Sequence, residues 1–250
     1  MIPPRHITST AEVITLTIPV GERIGSTEGD AVKTIHLWRA PMLCPQPVRA
    51  AASLLLAAGL SISQVPDTLA FTPSEALKNT RDKVVRLLNN PELKQPERQT
   101  ERRQQLVDIV SERFSYEEMS RRVLGTQWTK LNETERAQFV QVFQHMLAKS
   151  YATKIEGYGS EPLQYLGERL VKDCAEVRTR IFSAKNEVLV DFRLVERTGN
   201  WFVYDVIVDG VSLITSYRGQ MARILQRSSY ENLLDLLREN AALPMHARAD

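Results

Sequence analysis

The hydrophobic period of this chain changes near residue 175, and that change constrains the fold more than any other feature of the sequence. Before it, apolar residues recur every three or four positions, the spacing of one helix face. After it, three runs alternate residue by residue, the spacing of a half-buried strand. The helical period returns near residue 212. Helices gathered on either side of a block of strands make an α+β domain, with several helices packed on a curved antiparallel sheet around an apolar interior.

The first helix opens at Ser74-Glu75, carries Leu77, Val84, Leu87 and Leu88 on one face, and stops at Asn90-Pro91. Pro96 starts a charged helix whose apolar positions, Leu106, Ile109, Val110 and Phe114, gather at its C-terminal end. Its Arg98, Arg102 and Arg103, interleaved with Glu97 and Glu101, read as a solvated face, with a membrane or partner contact as the alternative. Ser115 and Glu118 have the spacing of a capping box and start a short helix ending at Gly125; Asn132 and Glu135 cap a long one. The long helix places Phe139, Val142, Phe143, Met146, Leu147 and Tyr151 on one face, a stripe bulky enough for core or for the lid of a cavity. Strands are expected over 175–184, 187–195 and 200–208, with 163–171 as a further one and a Gly199 hairpin turn between the last two. In the final strand Phe202, Tyr204, Val206 and Val208 alternate with Trp201, Val203, Asp205 and Ile207. Both sets are largely apolar, so that strand is covered on both sides or curls around something. A helix over 212–226 aligns Leu213, Tyr217, Met221 and Ile224; another over 230–240 closes the domain, leaving 241–250 as a frayed tail.

The N-terminal region reads differently. Residues 50–62 form an apolar run of 13, too short to span a bilayer and suited to a secretory signal, with a small-residue cleavage site at Thr68-Leu69-Ala70. The mature chain is expected to begin near Phe71. Residues 1–41 carry Glu12, Glu22, Glu28 and Asp30, unlike a short basic leader, so Met42 is the expected start and 42–70 the signal peptide. Loss of Cys44 with that signal would leave Cys174 as a single thiol.

The expected mature part is long enough for one domain, and 43% apolar against 25% charged residues suits a globular chain. Thirty-two Lys and Arg against 30 Asp and Glu give +2, without the concentrated basic excess of a nucleic-acid binder. Two cysteines and four scattered histidines (His6, His36, His145, His246) supply no disulfide framework and no metal set. Ser212 lacks the second glycine of a nucleophile elbow, Gly157-Tyr-Gly159 is no dinucleotide loop, and Cys174 reads as packing. Asp205, beside an apolar strand, is the one acid placed to have a raised pKa and act as a base, although Arg193 on the neighbouring strand offers it a partner. A small isomerase or dehydratase using Asp205 is therefore the alternative to a non-enzymatic binding protein.

Two stretches carry a resemblance. One runs from Tyr204-Asp-Val through Asp209-Gly-Val-Ser-Leu to Ser216-Tyr-Arg218-Gly-Gln-Met221. The other comprises Met119-Ser-Arg121-Arg-Val-Leu-Gly125 with Trp128 and Leu131, then Glu135-Arg136, Phe139 and Phe143. Together they resemble the MlaC-like family of toluene-tolerance auxiliary proteins over about 71–240, with mild departures at Ser115, Asp209, Ser216 and Met221. The resemblance implies an NTF2-related fold and a soluble phospholipid carrier in the periplasm of a Gram-negative bacterium. It implies no cofactor beyond phospholipid as cargo. The implied partners are an outer-membrane lipoprotein–porin complex and an inner-membrane ABC transporter with an MCE-domain ring. On that basis the expected acyl-chain lining is Met119, Val123, Phe139, Phe143, Tyr151, Val190, Phe192, Phe202, Tyr204, Val206, Leu213 and Tyr217, with Arg121 and Arg218 at the pocket mouth or at a partner contact.

Overall fold

The computed structural model describes residues 71–158, 161–182 and 187–242. The expected leader and signal over 1–70, and the tail from 243 onward, lie outside the described residues. Four helices come first: α1 (Pro73–Leu88), α2 (Gln99–Ser111) after a 3-10 turn at Pro96–Arg98, α3 (Tyr116–Leu124) and α4 (Glu133–Tyr158). An antiparallel meander follows, β1 (Leu163–Val171), β2 (Cys174–Phe182), β3 (Glu187–Arg197), β4 (Asn200–Val208) and the two-residue β5 (Val211–Ser212), in that spatial order. Helices α5 (Leu213–Arg227) and α6 (Tyr230–Ala242) complete the α+β domain.

The chain ends its helices largely as the sequence indicates, with two differences. Thr72, not Ser74, caps α1, its hydroxyl accepting from the Glu75 N–H while the Glu75 carboxylate accepts from the Thr72 N–H. At α3 the expected reciprocal box is half formed. Ser115 Oγ accepts from the Glu118 N–H, but the Ser115 N–H donates to Val203 O and the Glu118 carboxylate turns to arginines instead. Asn132 and Glu135 form the complete box at α4. The tight hairpins use positive φ at Thr198 and Gly199, and again at Asp209 and Gly210, the conformation their right-handed strand twist favours. Gly125 has φ +57 and lies so close to α5 that a Cβ there would sit 3.2 Å from the Arg218 guanidinium.

One irregularity redistributes the side chains of β4. Arg193 pairs with Asp205 but Leu194 pairs with Val203, leaving Tyr204 as an extra residue in a β-bulge. The strict alternation expected for β4 is therefore broken. Trp201 and Val203 pack with α1, Phe202 and Tyr204 with the opposite helices, and Val206 returns to the α1 side.

Two cores flank the sheet. On one side α3, α4, α5 and α6 close around Met119, Phe139, Phe143, Met221 and Leu233, which have no exposure. Phe143 meets Tyr217 edge-on at 5.4 Å. On the other, Ala76 and Leu77 of α1 pack on Ala175, Val177, Leu194, Trp201 and Val203. A third cluster, Val84, Leu87, Leu93 and Leu106, joins α1 to α2. The Arg-rich start of α2 is not simply solvated: Arg102 and Arg103 both hold the Glu156 carboxylate of α4, at 3.2 and 3.1 Å, while Arg98 pairs with Glu101 at 2.7 Å. Cys174 is fully buried. No helix among the described residues is long and apolar enough to cross a membrane.

Candidate functional site

Strand pairing defines a continuous apolar surface on the α1 side of the sheet. Leu163 lies opposite Ile181, Ile181 opposite Val188, Val190 opposite Val208, and Phe192 opposite Val206. Directly opposed residues share a face, so these side chains form one patch across four strands. Tyr165 and Thr179, opposite each other, are polar residues within it, and the Thr179 hydroxyl is already spent on the Val190 carbonyl. Helix α1 covers the patch only where Ala76 and Leu77 reach. Leu163, Ile181, Val188, Phe192, Val206 and Val208 remain half-exposed, and Val190 is 8% exposed.

The other face of β1–β3 is charged. Arg193 holds Glu176 at 3.2 Å and Asp205 at 3.5 Å, and Arg178 and Arg180 approach Asp191 and Glu187 at 3.9 and 3.0 Å. Helices α3 and α5 close the β4 end of that face with the helical core. At its margin Glu118, 3% exposed, is shared by three guanidinium groups, Arg121 at 2.6 Å, Arg122 at 2.7 Å and Arg197 at 3.5 Å. Burial opposes ionisation of Glu118, but the hydrogen bond from Arg121 and the charges of Arg122 and Arg121 prevail and hold its pKa below the usual carboxylate range.

The twelve expected lining residues therefore divide. Val190, Phe192 and Val206 lie on the half-open apolar face. Met119, Val123, Phe139, Phe143, Tyr204 and Tyr217 are buried in the closed helical core, and Tyr151, Phe202 and Leu213 pack against its outside. Burial raises the pKa of the Tyr151 hydroxyl and pushes that of Tyr217 up to about 12; the two share a hydrogen bond. Arg121 and Arg218 are both exposed, the first on Glu118 and the second over Gly125. Leu163, Ile181, Val188 and Val208 belong to the apolar face but were absent from the expected lining. Their period-two spacing was the available signal, once β1 is paired to β2.

Asp205 has a structural assignment. Its carboxylate accepts from Ser212 Oγ at 2.8 Å and the Ile214 N–H at 3.1 Å, with Arg193 at 3.5 Å, so it fastens the bulge of β4 to the N-terminus of α5. Burial raises its pKa despite the bonds from Ile214 and Ser212 and the Arg193 charge. His145 is exposed on α4, and no group of three or more metal-ligating side chains occurs among the described residues.

Fold and surface together define an α+β protein whose meander sheet is sealed by helices at one end of its charged face and keeps its apolar face partly open. A sequence model described as MlaC protein matches residues 78–239, well over half of the chain, and the protein belongs to that family. The intermembrane phospholipid transport system binding protein MlaC of Haemophilus influenzae is 24% identical over 130 residues, half of this chain and 61% of that relative. This chain thus spans less than two thirds of the relative it matches. Among solved structures, the phospholipid-binding protein of Ralstonia solanacearum, in complex with a phospholipid, shares the fold with a TM-score of 0.60 at 23% identity, covering 67% of this chain and 95% of that one.

Proposed function

We propose that this protein is a soluble periplasmic carrier that holds a single phospholipid with its acyl chains on the half-open apolar sheet face. The observation that carries the reading is the patch from Leu163 through Ile181, Val188 and Val190 to Phe192, Val206 and Val208, which the protein's own helices leave incompletely covered. Membership of the MlaC family and the phospholipid held by the Ralstonia solanacearum protein support it. In this reading Val190, Phe192 and Val206 touch cargo, while Met119, Val123, Phe139, Phe143, Tyr204 and Tyr217 keep the helical wall rigid. Tyr151, Phe202 and Leu213 line its rim.

The energetics explain why such a carrier is needed. Each methylene is worth about 0.8 kcal/mol, so two acyl chains of roughly 30 methylenes would cost on the order of 24 kcal/mol to expose to water. Moving them from a bilayer to an apolar sheet face exchanges one apolar surrounding for another, so loading is reversible and needs no chemistry in the carrier. Direction then comes from partners, through ATP hydrolysis at an inner-membrane ABC transporter with an MCE-domain ring and through an outer-membrane lipoprotein–porin complex. We assign Arg121 and Arg218, both exposed, to such contacts. The carrier thereby serves outer-membrane lipid asymmetry in a Gram-negative cell, delivered to the periplasm by a signal over 42–70. An isomerase reading with Asp205 as base is disfavoured by the three donors that already engage its carboxylate.

Native mass spectrometry of protein purified without detergent tests the reading. One phospholipid mass per chain, released on denaturation, is expected. Protein that is empty and takes no lipid from vesicles overturns it.

A further inference from the structure

Arg113 lies where the apolar face meets the α1–α2 layer, and its backbone is fixed. Its carbonyl accepts from the Val203 N–H at 2.8 Å and the Ser115 N–H donates to Val203 O at 2.9 Å, so residues 113–115 pair with β4 beside the bulge. The side chain is half-buried. Nε donates to Thr80 Oγ1 at 3.0 Å and Nη1 to the Trp201 carbonyl at 2.7 Å. Both acceptors are neutral, and the Nη2 amino group makes neither bond.

Several half-buried arginines elsewhere in the fold are treated differently. Arg81, Arg102 and Arg193 each have a carboxylate within 4.0 Å, at Asp82, Glu156 and Glu176. The acid adjacent to Arg113 in sequence, Glu112, is taken by Lys83. Burial lowers the Arg113 pKa, opposed by Glu112 alone. A guanidinium moved partly out of water without an anion is costly, and a planar donor fork matches phosphate oxygens. Its surroundings point the same way. Trp201 belongs to the α1-side cluster, and Thr80 lies one turn beyond Ala76 and Leu77. From Val203 to Val206 the strand advances roughly 10 Å, a distance the glycerol and upper acyl chain of a lipid cover.

Resting on the carrier reading, we propose that Arg113 is the anchor for the phosphodiester of the bound phospholipid, its Nη2 donating to a non-bridging phosphate oxygen while the acyl chains run over Phe192 and Val206. Thr80 and the Trp201 carbonyl hold the guanidinium in place for it.

The test offers the protein vesicles containing dioleoylphosphatidylglycerol or dioleoylglycerol, which share acyl chains and differ in the phosphate. Wild type should take the phospholipid at least roughly tenfold better, and Arg113→Gln should bring the two close to parity while still loading dioleoylglycerol. A phospholipid preference unchanged in Arg113→Gln overturns the anchor and leaves the carrier reading standing. Because Arg113 also ties α1 to β4, a second measurement uses unsubstituted protein, with phenylglyoxal modification mapped by peptide mass spectrometry. Phospholipid should protect Arg113 and dioleoylglycerol should not; equal reactivity of empty and phospholipid-loaded protein overturns the proposal. Failure to take up either lipid overturns the carrier reading itself.

Discussion

The two faces of the sheet meet similar side chains with opposite outcomes. On the helical side Phe139 and Phe143 have no exposure; their rings stack on each other, and Phe143 meets Tyr217 edge-on. On the α1 side Phe192, Val206 and Val208 stay partly in water although their cross-strand neighbours are apolar. Burial is worth about 25 cal/mol for each Å² of apolar surface, so a chain built only for stability would finish covering that face. Leaving it open sacrifices folding energy and keeps a surface for an apolar ligand. On the proposed function, the contrast separates apolar residues that hold the fold from apolar residues left to receive cargo.

The largest expected effect tests that separation directly. Phe143→Ala should lower stability by about 3–5 kcal/mol, since the closed core cannot collapse around the void. Phe192→Ala should cost only about 1–2 kcal/mol, because its ring is already partly solvated. Lipid loading should follow the reverse order, and Val206→Glu should abolish it in a folded protein. Urea unfolding beside lipid extraction reads both. If Phe143→Ala releases lipid at unchanged stability, the cargo lies among the helices and the comparison inverts.

Second comes the charged hub. Glu118→Gln leaves Arg121, Arg122 and Arg197 around a neutral amide, at an expected cost of about 3 kcal/mol, the low end for removing one partner of a buried pair, because two of the arginines are half-exposed. The pH dependence has a definite sign. The folded-state pKa of Glu118 lies below its unfolded value, so its contribution is complete above the ordinary glutamate range and is lost as pH falls through the lower folded value. Acid unfolding midpoints of wild type and Glu118→Gln should therefore converge; a constant gap down to the lowest pH refutes the assignment.

These faces were unequally legible in the sequence. Helix starts at Asn132, the stop at Gly125 and the turn at Gly199 follow from local chemistry, so they were readable in short windows. The capping spacing of Ser115 and Glu118 was readable too, yet the Glu118 side chain belongs to a long-range contact with Arg197 that no window contains. The lining was harder. A 3–4 stripe such as Phe139, Phe143 and Tyr151 has the same period whether it meets other helices or a lipid. The bulge at Tyr204 then moved Val206 to the face opposite Phe202, which simple alternation had grouped together. Even so, Val190, Phe192 and Val206 do share the open face, because β3 alternates without interruption beside them.

Asp205→Asn is the third test. The amide still accepts from the Ile214 N–H, but its NH2 replaces the oxygen that accepts from Ser212 Oγ and Arg193, so a loss of about 1–2 kcal/mol from those unmet donors is expected with lipid loading intact. The pH signature is opposite to that of Glu118. The folded pKa of Asp205 is raised, so wild type should lose stability as pH climbs from the ordinary aspartate value through the raised one, and Asp205→Asn should lack that decline. Parallel pH profiles in the two proteins would remove Asp205 as the source.

The smallest effect is expected on the charged face itself. Arg180 and Glu187 pair at 3.0 Å with 34% and 48% of their side chains exposed, so Arg180→Ala should change stability by no more than about 0.5 kcal/mol. The pair's Coulomb attraction is screened by water and salt, and holding two long side chains together consumes much of what remains. The same substitution should leave lipid loading from vesicles unaltered, because residues 180 and 187 point away from the apolar patch that Ile181 and Val188 enter. A drop in loading at constant stability would place a cargo contact on the charged face, and the division of labour between the two surfaces would fail at the site where it predicts least.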